Sequence, residues 1–191
     1  MPKSIALNWL GPFSWPGFEK ASNLDSLPDL SGVYLQCFRY KQGYSIYLAG
    51  ITKRPFSQRF REHTGKYLSG DYTILDPAAA NKGKRLELWH GWGWTEPKRE
   101  LFQAGKEIIQ GAATEQMKAF RLFVAEVEED NRLPERIEAS VMAHLYNLSS
   151  PLSKLPDKGM FLSPRRKDEL EIRVENLSDK KLYGMPKVIT V

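Results

Sequence analysis

Two short apolar runs joined by a turn most limit the folds open to this chain. Residues 32–38 and 44–49 are mostly apolar and rich in aromatic and branched side chains, which is the composition of β-strands. The intervening sequence Arg-Tyr-Lys-Gln-Gly is typical of a turn. Together these segments predict an antiparallel hairpin.

A helix is predicted directly after the hairpin. Pro55 suits the first turn of a helix, and residues 56–68 follow it before a Ser-Gly pair. Within this helix Arg59 and His63 are four residues apart, so they share a face. A second stripe, which we expect to face the sheet, is aromatic: Phe56, Phe60 and Tyr67.

A third strand and a second long helix are predicted later in the chain. Residues 120–127 have the composition of a strand, and residues 134–148 have that of a helix. Glu138 lies beside the apolar face of this helix. That face has an apolar residue at every fourth position: Ile137, Val141 and Leu145. The predicted order of these elements is therefore hairpin, helix, strand and helix.

The remaining segments carry weaker patterns. Residues 76–83 have the composition of a loop, residues 85–94 that of a strand and residues 97–109 that of a helix. After the second long helix the chain is loop-like, and short strands are expected at 171–175 and 188–191.

The composition is that of a globular protein without a membrane partner. The 191 residues suit one domain with decorated ends, and 41% of them are hydrophobic while 27% are charged. No apolar run approaches the roughly 20 residues of a membrane helix, and the N-terminus has no signal-peptide pattern. The single cysteine, Cys37, excludes an internal disulfide and a cysteine-rich zinc module. We therefore expect a cytoplasmic protein.

The basic residues are concentrated in one part of the chain. The net charge is +5, and residues 39–66 contain seven basic residues and one acidic residue, Glu62. Such an excess is found on surfaces that bind nucleic acid and also on ordinary solvated faces. Here the excess overlaps the sequence motif described in the next paragraphs, and that overlap favours nucleic acid.

Five polar residues stand in a recognisable frame. A Gly-Val-Tyr triplet ends at Tyr34 and a Tyr-Leu-Ala-Gly sequence begins at Tyr47. Arg59 and His63 follow on the first helix, and Glu138 lies on the later one. This frame resembles the GIY-YIG nuclease family.

The resemblance covers roughly residues 30–153 and implies a fold. It implies a small α/β domain in which a three-stranded antiparallel sheet carries the two motif strands and is flanked by helices. We accordingly divide the chain into an N-terminal lead-in (1–30), a nuclease-like domain (31–153) with an insert at about 73–118, and a C-terminal extension (154–191).

The resemblance also implies roles for individual side chains. Tyr34 matches the tyrosine that acts as general base or orients the attacking water, and Tyr47 matches one that shapes the site. Arg59 matches the arginine that contacts the scissile phosphate. His63 and Tyr72 match supporting residues.

Glu138 matches the metal-binding glutamate of the family. One carboxylate can hold Mg²⁺ or Mn²⁺ when phosphate oxygens and waters complete the coordination. The metal then acidifies a bound water and polarises the phosphoryl group. Glu135 is a second, less well matched candidate for this ligand.

Two positions depart from the family pattern. Twelve residues separate Tyr34 from Tyr47, slightly more than usual, and we expect a longer hairpin turn to absorb the excess. Many members carry an asparagine about fifteen residues after the glutamate, and here that position is Ser153. The supporting residue of the site is therefore absent or shifted.

Other residues are assigned from composition alone. The tryptophan-rich run 89–94 can stack on bases or pack against the sheet. We expect His90, His144 and Cys37 to be structural or surface residues, with Cys37 in the core. Contacts with phosphate are expected for six basic residues: Lys53, Arg54, Arg61, Lys66, Arg165 and Arg166. For Arg165 and Arg166 a solvated loop is the alternative.

These features predict a metal-dependent endonuclease that hydrolyses DNA. The competing interpretation is a non-catalytic nucleic-acid-binding module on the same scaffold. A third is an α/β domain with no nucleic-acid role.

Overall fold

The structure, a computed structural model, describes residues 3–127 and 132–191, so the first two residues of the predicted lead-in lie outside it. The strands are β1 (Lys3–Asn8), β2 (Leu10–Phe13), β3 (Gly32–Tyr40), β4 (Gly43–Thr52), β5 (Ile74–Leu75), β6 (Glu87–Trp89), β7 (Arg121–Glu126), β8 (Ile172–Leu177), β9 (Leu182–Tyr183) and β10 (Val188–Thr190). The α-helices are α1 (Glu19–Ser22), α2 (Phe56–Leu68), α3 (Pro77–Ala80), α4 (Glu96–Ala104), α5 (Lys106–Ala119) and α6 (Leu133–Tyr146), and a 3₁₀ turn covers Leu152–Lys154.

The predicted hairpin and third strand form the centre of the main sheet. β3 pairs antiparallel with β4 on one side and with β7 on the other. Together with the helices of the chain, this sheet confirms the α/β class. The prediction of three strands is wrong, because the sheet has five in the order β2-β7-β3-β4-β9. The two added strands come from the segments predicted as lead-in and extension. They pair backbone groups that the edges of a three-stranded sheet would leave open.

The main sheet is covered on both faces. Residues of β3 alternate between the faces, so Val33 and Leu35 pack with α6, whereas Tyr34 and Phe38 pack with α2 and α5. The α6 face also carries a small sheet in the order β1-β8-β10. The opposite face is rich in aromatic side chains. A helix on each face of the sheet gives two apolar cores rather than one.

The hairpin contains an irregularity at Tyr47. Tyr40 pairs with Gly43, so the turn is short, and the expectation of a longer turn is wrong. Instead the register shifts between Gln36 and Cys37, whose partners are Leu48 and Ile46. The extra residue, Tyr47, is therefore accommodated as a β-bulge. A bulge turns two consecutive side chains to one face, and Tyr47 and Leu48 both face the α2 side.

The two long helices lie close to their predicted bounds. α2 spans the predicted residues 56–68, and α6 begins one residue before residue 134 and ends two residues before residue 148. The aromatic stripe of α2 is buried against the sheet as predicted. His63 is buried with it, so the polar face of the helix is not entirely open to solvent.

The insert is more structured than its sequence indicated. The segment predicted as a loop contains α3, because the Asp76 carboxylate caps its N-terminus by accepting from the Ala79 amide at 2.6 Å. The strand expected at 85–94 is reduced to β6, and the helix expected at 97–109 is two helices that meet at Gly105. The two C-terminal strands are confirmed as β8 and β10.

Membrane-spanning helices are not found within residues 3–127 and 132–191, since none of the helices there is long and apolar enough.

Trp15 connects the N-terminal segment to the core. Its indole is fully buried and lies against Phe120 with ring centroids 5.5 Å apart. Its Nε1 donates a hydrogen bond to Thr64 Oγ1 of α2 at 2.8 Å. The side chain therefore joins the lead-in, α2 and the residue before β7.

We expect Trp15→Ala to lower the free energy of unfolding by about 3–5 kcal/mol, because it opens a large cavity in the aromatic core. Chemical denaturation monitored by circular dichroism measures the change. The control is Leu101→Ala, since Leu101 is 65% exposed on α4 and its loss should change stability by less than about 0.5 kcal/mol. Equal effects of the two substitutions would contradict this role of Trp15.

Candidate active site

A cavity of about 220 Å³ lies beside the hairpin, on the α2 side of the sheet. The predicted catalytic residues all line it: Tyr34, Tyr47, Arg59, His63, Tyr72 and Glu138. It borders a part of β4 whose outer edge, opposite β3, has no strand neighbour in the described chain, since β9 pairs only with Tyr44 and Ser45. At that open edge the Ala49 amide donates to Met142 Sδ, and the Tyr47 carbonyl accepts from the Asp157 amide.

Tyr34 reaches the cavity because its partner across the hairpin is a glycine. The register pairs Tyr34 with Gly50, and the phenol lies where a side chain at residue 50 would project. Any larger residue at this position would collide with the Tyr34 ring and hydroxyl. This contact gives a physical reason for the glycine at the end of the second motif.

A chain of hydrogen bonds runs from Tyr34 through His63 to Tyr72. The Tyr34 hydroxyl lies 2.8 Å from His63 Nε2, and His63 Nδ1 lies 3.2 Å from the Tyr72 hydroxyl. In one tautomer Tyr34 donates to Nε2 while Nδ1–H donates to Tyr72. Tyr34 is then left with an oxygen lone pair that can accept a hydrogen bond from the adjacent Arg59 or from a molecule in the cavity.

Burial keeps Tyr34 and His63 uncharged. It raises the pKa of Tyr34 well above its ordinary value of 10.0, although Arg59 acts in the opposite direction. Burial, with a contribution from Arg59, lowers the pKa of His63 from 6.5 to about 3. Both side chains are therefore neutral near pH 7.

Arg59 brings a positive charge with spare donors to the cavity. Its Nε is buried and has no hydrogen-bond partner within residues 3–127 and 132–191. Its Nη1 lies 3.4 Å from a Glu62 oxygen, which is a long and weak contact. A buried donor without a partner is unfavourable, so this guanidinium is suited to an anionic ligand.

Glu138 reaches the same cavity from α6, on the other face of the sheet. It makes no hydrogen bond or ion pair with any residue that the structure describes. Burial and the nearby Glu135 raise the pKa of its carboxyl to about 7, against the effect of Arg59. Glu135 itself lines a separate depression with Lys53 and Arg132, so position favours Glu138 as the candidate ligand.

The donor set fits a cation that is only partly coordinated by protein. No three His, Cys, Asp or Glu side chains converge as a complete metal site in the described part of the chain. The half-buried carboxylate of Glu138 is nevertheless unpartnered and faces the cavity. Mg²⁺ or Mn²⁺ would suit it, because these ions retain waters and accept substrate oxygens as further ligands.

Asp157 is a cavity residue that the sequence did not indicate. It is buried, it accepts from Arg85 Nη2 at 3.0 Å, and its other oxygen accepts from Trp92 Nε1 at 3.1 Å. Burial raises the pKa of Tyr47, and the Asp157 carboxylate beside it adds to the effect. Its sequence context, Leu-Pro-Asp-Lys-Gly, is that of an ordinary loop and gives no signal of this position.

Ser153, which stands where the family asparagine was expected, is not among the residues that line the cavity. It lies in the 3₁₀ turn after α6. The polar side chain that this part of the chain contributes is that of Asp157. The departure noted in the sequence is thus accompanied by a carboxylate a few residues later.

The predicted phosphate-binding residues lie outside the cavity. The four on or near α2 are exposed, and two of them form surface ion pairs, Arg54 with Glu62 and Lys66 with Asp71. Arg165 and Arg166 are also exposed, and Arg165 donates to the carbonyl of Glu169. Surface pairs of this kind contribute little to stability, so they do not prevent contacts with a polyanion.

The structure separates the three tryptophans of the aromatic run. Trp89 and Trp94 pack as structural residues, but their ring contacts are with Phe102 of α4, at centroid distances of 5.6 and 5.7 Å, rather than with the sheet. Trp92 instead lines the cavity. The structural assignments also hold for Cys37, which is buried, and for His90 and His144, which are exposed.

Comparison with known proteins finds no family model, no curated protein and no solved structure that matches the chain.

The depressed pKa of His63 makes stability depend on pH. The unfolded chain binds a proton near pH 6.5 and the folded chain only near pH 3, so stability is complete above pH 6.5 and falls as the pH drops between these values. At pH 4.5 we expect a loss of about 2–3 kcal/mol from this group. Glu138 has the opposite effect, because its pKa is raised.

A comparison of variants isolates the histidine. We expect denaturation curves at pH 7 and pH 4.5 to show a smaller pH-dependent loss for His63→Gln than for the wild type. His144→Gln, which removes an exposed histidine, should behave like the wild type. The same pH dependence in all three proteins would contradict a buried, neutral His63.

Proposed function

We propose that the protein is a metal-dependent endonuclease that hydrolyses DNA phosphodiester bonds. One observation carries the proposal. A guanidinium with an unpartnered donor, an unpartnered carboxylate and a neutral Tyr-His-Tyr chain face the same 220 Å³ cavity. Phosphodiester hydrolysis needs charge neutralisation, an oriented water and a cation site, and these groups supply them.

Glu138 would hold the cation. A divalent ion bound there supplies Lewis-acid chemistry and lowers the pKa of bound water. The carboxylate is well suited to this function because no described residue competes for it. Its half-buried position also strengthens its attraction for a cation compared with a carboxylate in open solvent.

Arg59 would bind the phosphate. The planar guanidinium can donate two parallel hydrogen bonds to phosphate oxygens, and its charge opposes the negative charge that develops during hydrolysis. Its place on α2, one turn before His63, sets it beside the Tyr34 hydroxyl, whose pKa it lowers.

Tyr34 would orient the attacking water rather than act as a resting phenolate. Its hydroxyl donates a hydrogen bond to His63 Nε2 and accepts one from water, so that the water directs a lone pair toward phosphorus. The water oxygen forms the new P–O bond, the bond to the leaving oxygen breaks, and the water's proton is released to solvent as the leaving oxygen takes one up. In the tautomer that this arrangement requires, His63 Nδ1–H donates to the Tyr72 hydroxyl.

A non-catalytic nucleic-acid-binding module is the second candidate. The missing asparagine favours it, because this part of the chain contributes to the cavity the buried carboxylate of Asp157, whose negative charge opposes phosphate. This candidate predicts salt-sensitive DNA binding without cleavage in any divalent metal.

We expect the wild type to nick or linearise supercoiled plasmid only when Mg²⁺ or Mn²⁺ is present. Glu138→Ala should reduce the rate by at least about 100-fold, since loss of the cation removes several kcal/mol of transition-state stabilisation. Glu135→Ala, one turn earlier on α6, is the matched control and should cleave normally. Cleavage by Glu138→Ala at the wild-type rate would refute the proposal.

Arg59→Lys should lower the cleavage rate by about 10²–10³-fold, because lysine keeps the charge but not the planar fork. The affinity for the same DNA should change much less, and a fluorescence-anisotropy titration measures it. Arg61→Lys makes the same replacement at an exposed position of α2 outside the cavity. An equal loss of rate in both variants would show that Arg59 acts only through the general charge of the helix.

A further inference from the structure

Two aromatic side chains stand at the cavity in contact with solvent. Trp92 is 42% exposed and Phe161 is 96% exposed, and both line the cavity. They come from separate parts of the chain, one from the insert and one from the loop after α6. Exposed apolar residues are common singly, but two aromatic rings at the mouth of one cavity that also holds charged side chains are the kind of surface that contacts ligands.

The Trp92 indole is held in a fixed orientation. Its Nε1 donates to Asp157 Oδ2 at 3.1 Å, and its ring lies against Tyr72, with centroids 5.9 Å apart and planes inclined by 41°. Asp157 is itself held by Arg85. An aromatic face that is fixed before a ligand arrives loses little conformational freedom on binding.

The neighbouring groups define the chemical class of the ligand. Arg59, in the same cavity, has a buried donor that no residue of the described ranges satisfies. An anion-binding guanidinium beside exposed aromatic rings matches a nucleotide, which joins a phosphate to a flat base. A purely apolar ligand would leave the guanidinium unsatisfied, and an inorganic anion would leave the rings in water.

We propose that Trp92 and Phe161 form a stacking site for the nucleobase next to the phosphate that Arg59 binds. This inference rests on the proposed function and adds a substrate preference to it. A base in an intact duplex is already stacked on both faces and must leave the helix to reach such a site. An unpaired base does so at a smaller free-energy cost, so the preferred substrate contains an unpaired nucleotide.

The test compares two labelled oligonucleotides, a perfect duplex and the same duplex with one unpaired nucleotide. Binding is measured by fluorescence anisotropy in EDTA, which prevents cleavage. The wild type should bind the second duplex more tightly. Trp92→Ala and Phe161→Ala should each lose about tenfold in affinity for it, and far less for the perfect duplex.

Two further variants separate stacking from general effects. Trp92→Phe retains an aromatic face while losing the hydrogen bond to Asp157, so it should keep most of the preference. Leu101→Ala removes an exposed apolar side chain that does not line the cavity, and it should bind like the wild type. Thermal unfolding of each variant shows that the protein remains folded.

The outcomes distinguish the stacking site from the nuclease itself. Equal wild-type affinity for both duplexes, or an equal loss on both in Trp92→Ala, would overturn the stacking site. Metal-dependent plasmid cleavage, measured in parallel, would leave the proposed function standing in that case. A wild type that neither binds nor cleaves DNA would remove the proposed function and the stacking site together.

Discussion

The pairing of β3 with β4 determines where every other part of the candidate site can lie. Register sets Tyr34 opposite Gly50, and the bulge turns Tyr47 and Leu48 to the same face. A pairing without the bulge would direct one of these two side chains into the α6 core, because side chains alternate along a strand. The helices, the insert and the loop after α6 then enclose the cavity that this hairpin defines.

The cavity combines one guanidinium, two carboxylates and a series of neutral side chains joined by hydrogen bonds. Asp157 is already satisfied by Arg85 and Trp92, whereas Glu138 and the Nε of Arg59 have no such partners in the described residues. The two groups that lack partners are those assigned to the cation and the phosphate. An interior of this kind is less stable than an apolar one of the same size, since buried polar groups are costly when they are unsatisfied.

Sequence reasoning succeeded where the determinants are local. The bounds of α2 and the shared face of Arg59 and His63 follow from helical periodicity, and the hairpin follows from two runs and a turn. It failed where partners are distant in sequence. The edge strands β2 and β9 pair with strands far along the chain, and nothing near Asp157 or Trp92 indicates that they meet. The bulge was missed because the twelve residues between Tyr34 and Tyr47 fit either a long turn or a short turn with a bulge.

The groups that meet in the cavity are far apart in sequence. This separation determines when, during synthesis and folding, the site is formed. The hairpin and α2 are local structures, but Glu138 and Asp157 join Tyr34 across more than a hundred residues. Contacts of such separation form late in folding, because a long loop must close first. During synthesis from the N-terminus, the groups proposed to bind phosphate and orient water emerge well before the carboxylate on α6. A nascent chain that carries only the hairpin and α2 therefore lacks both carboxylates of the cavity.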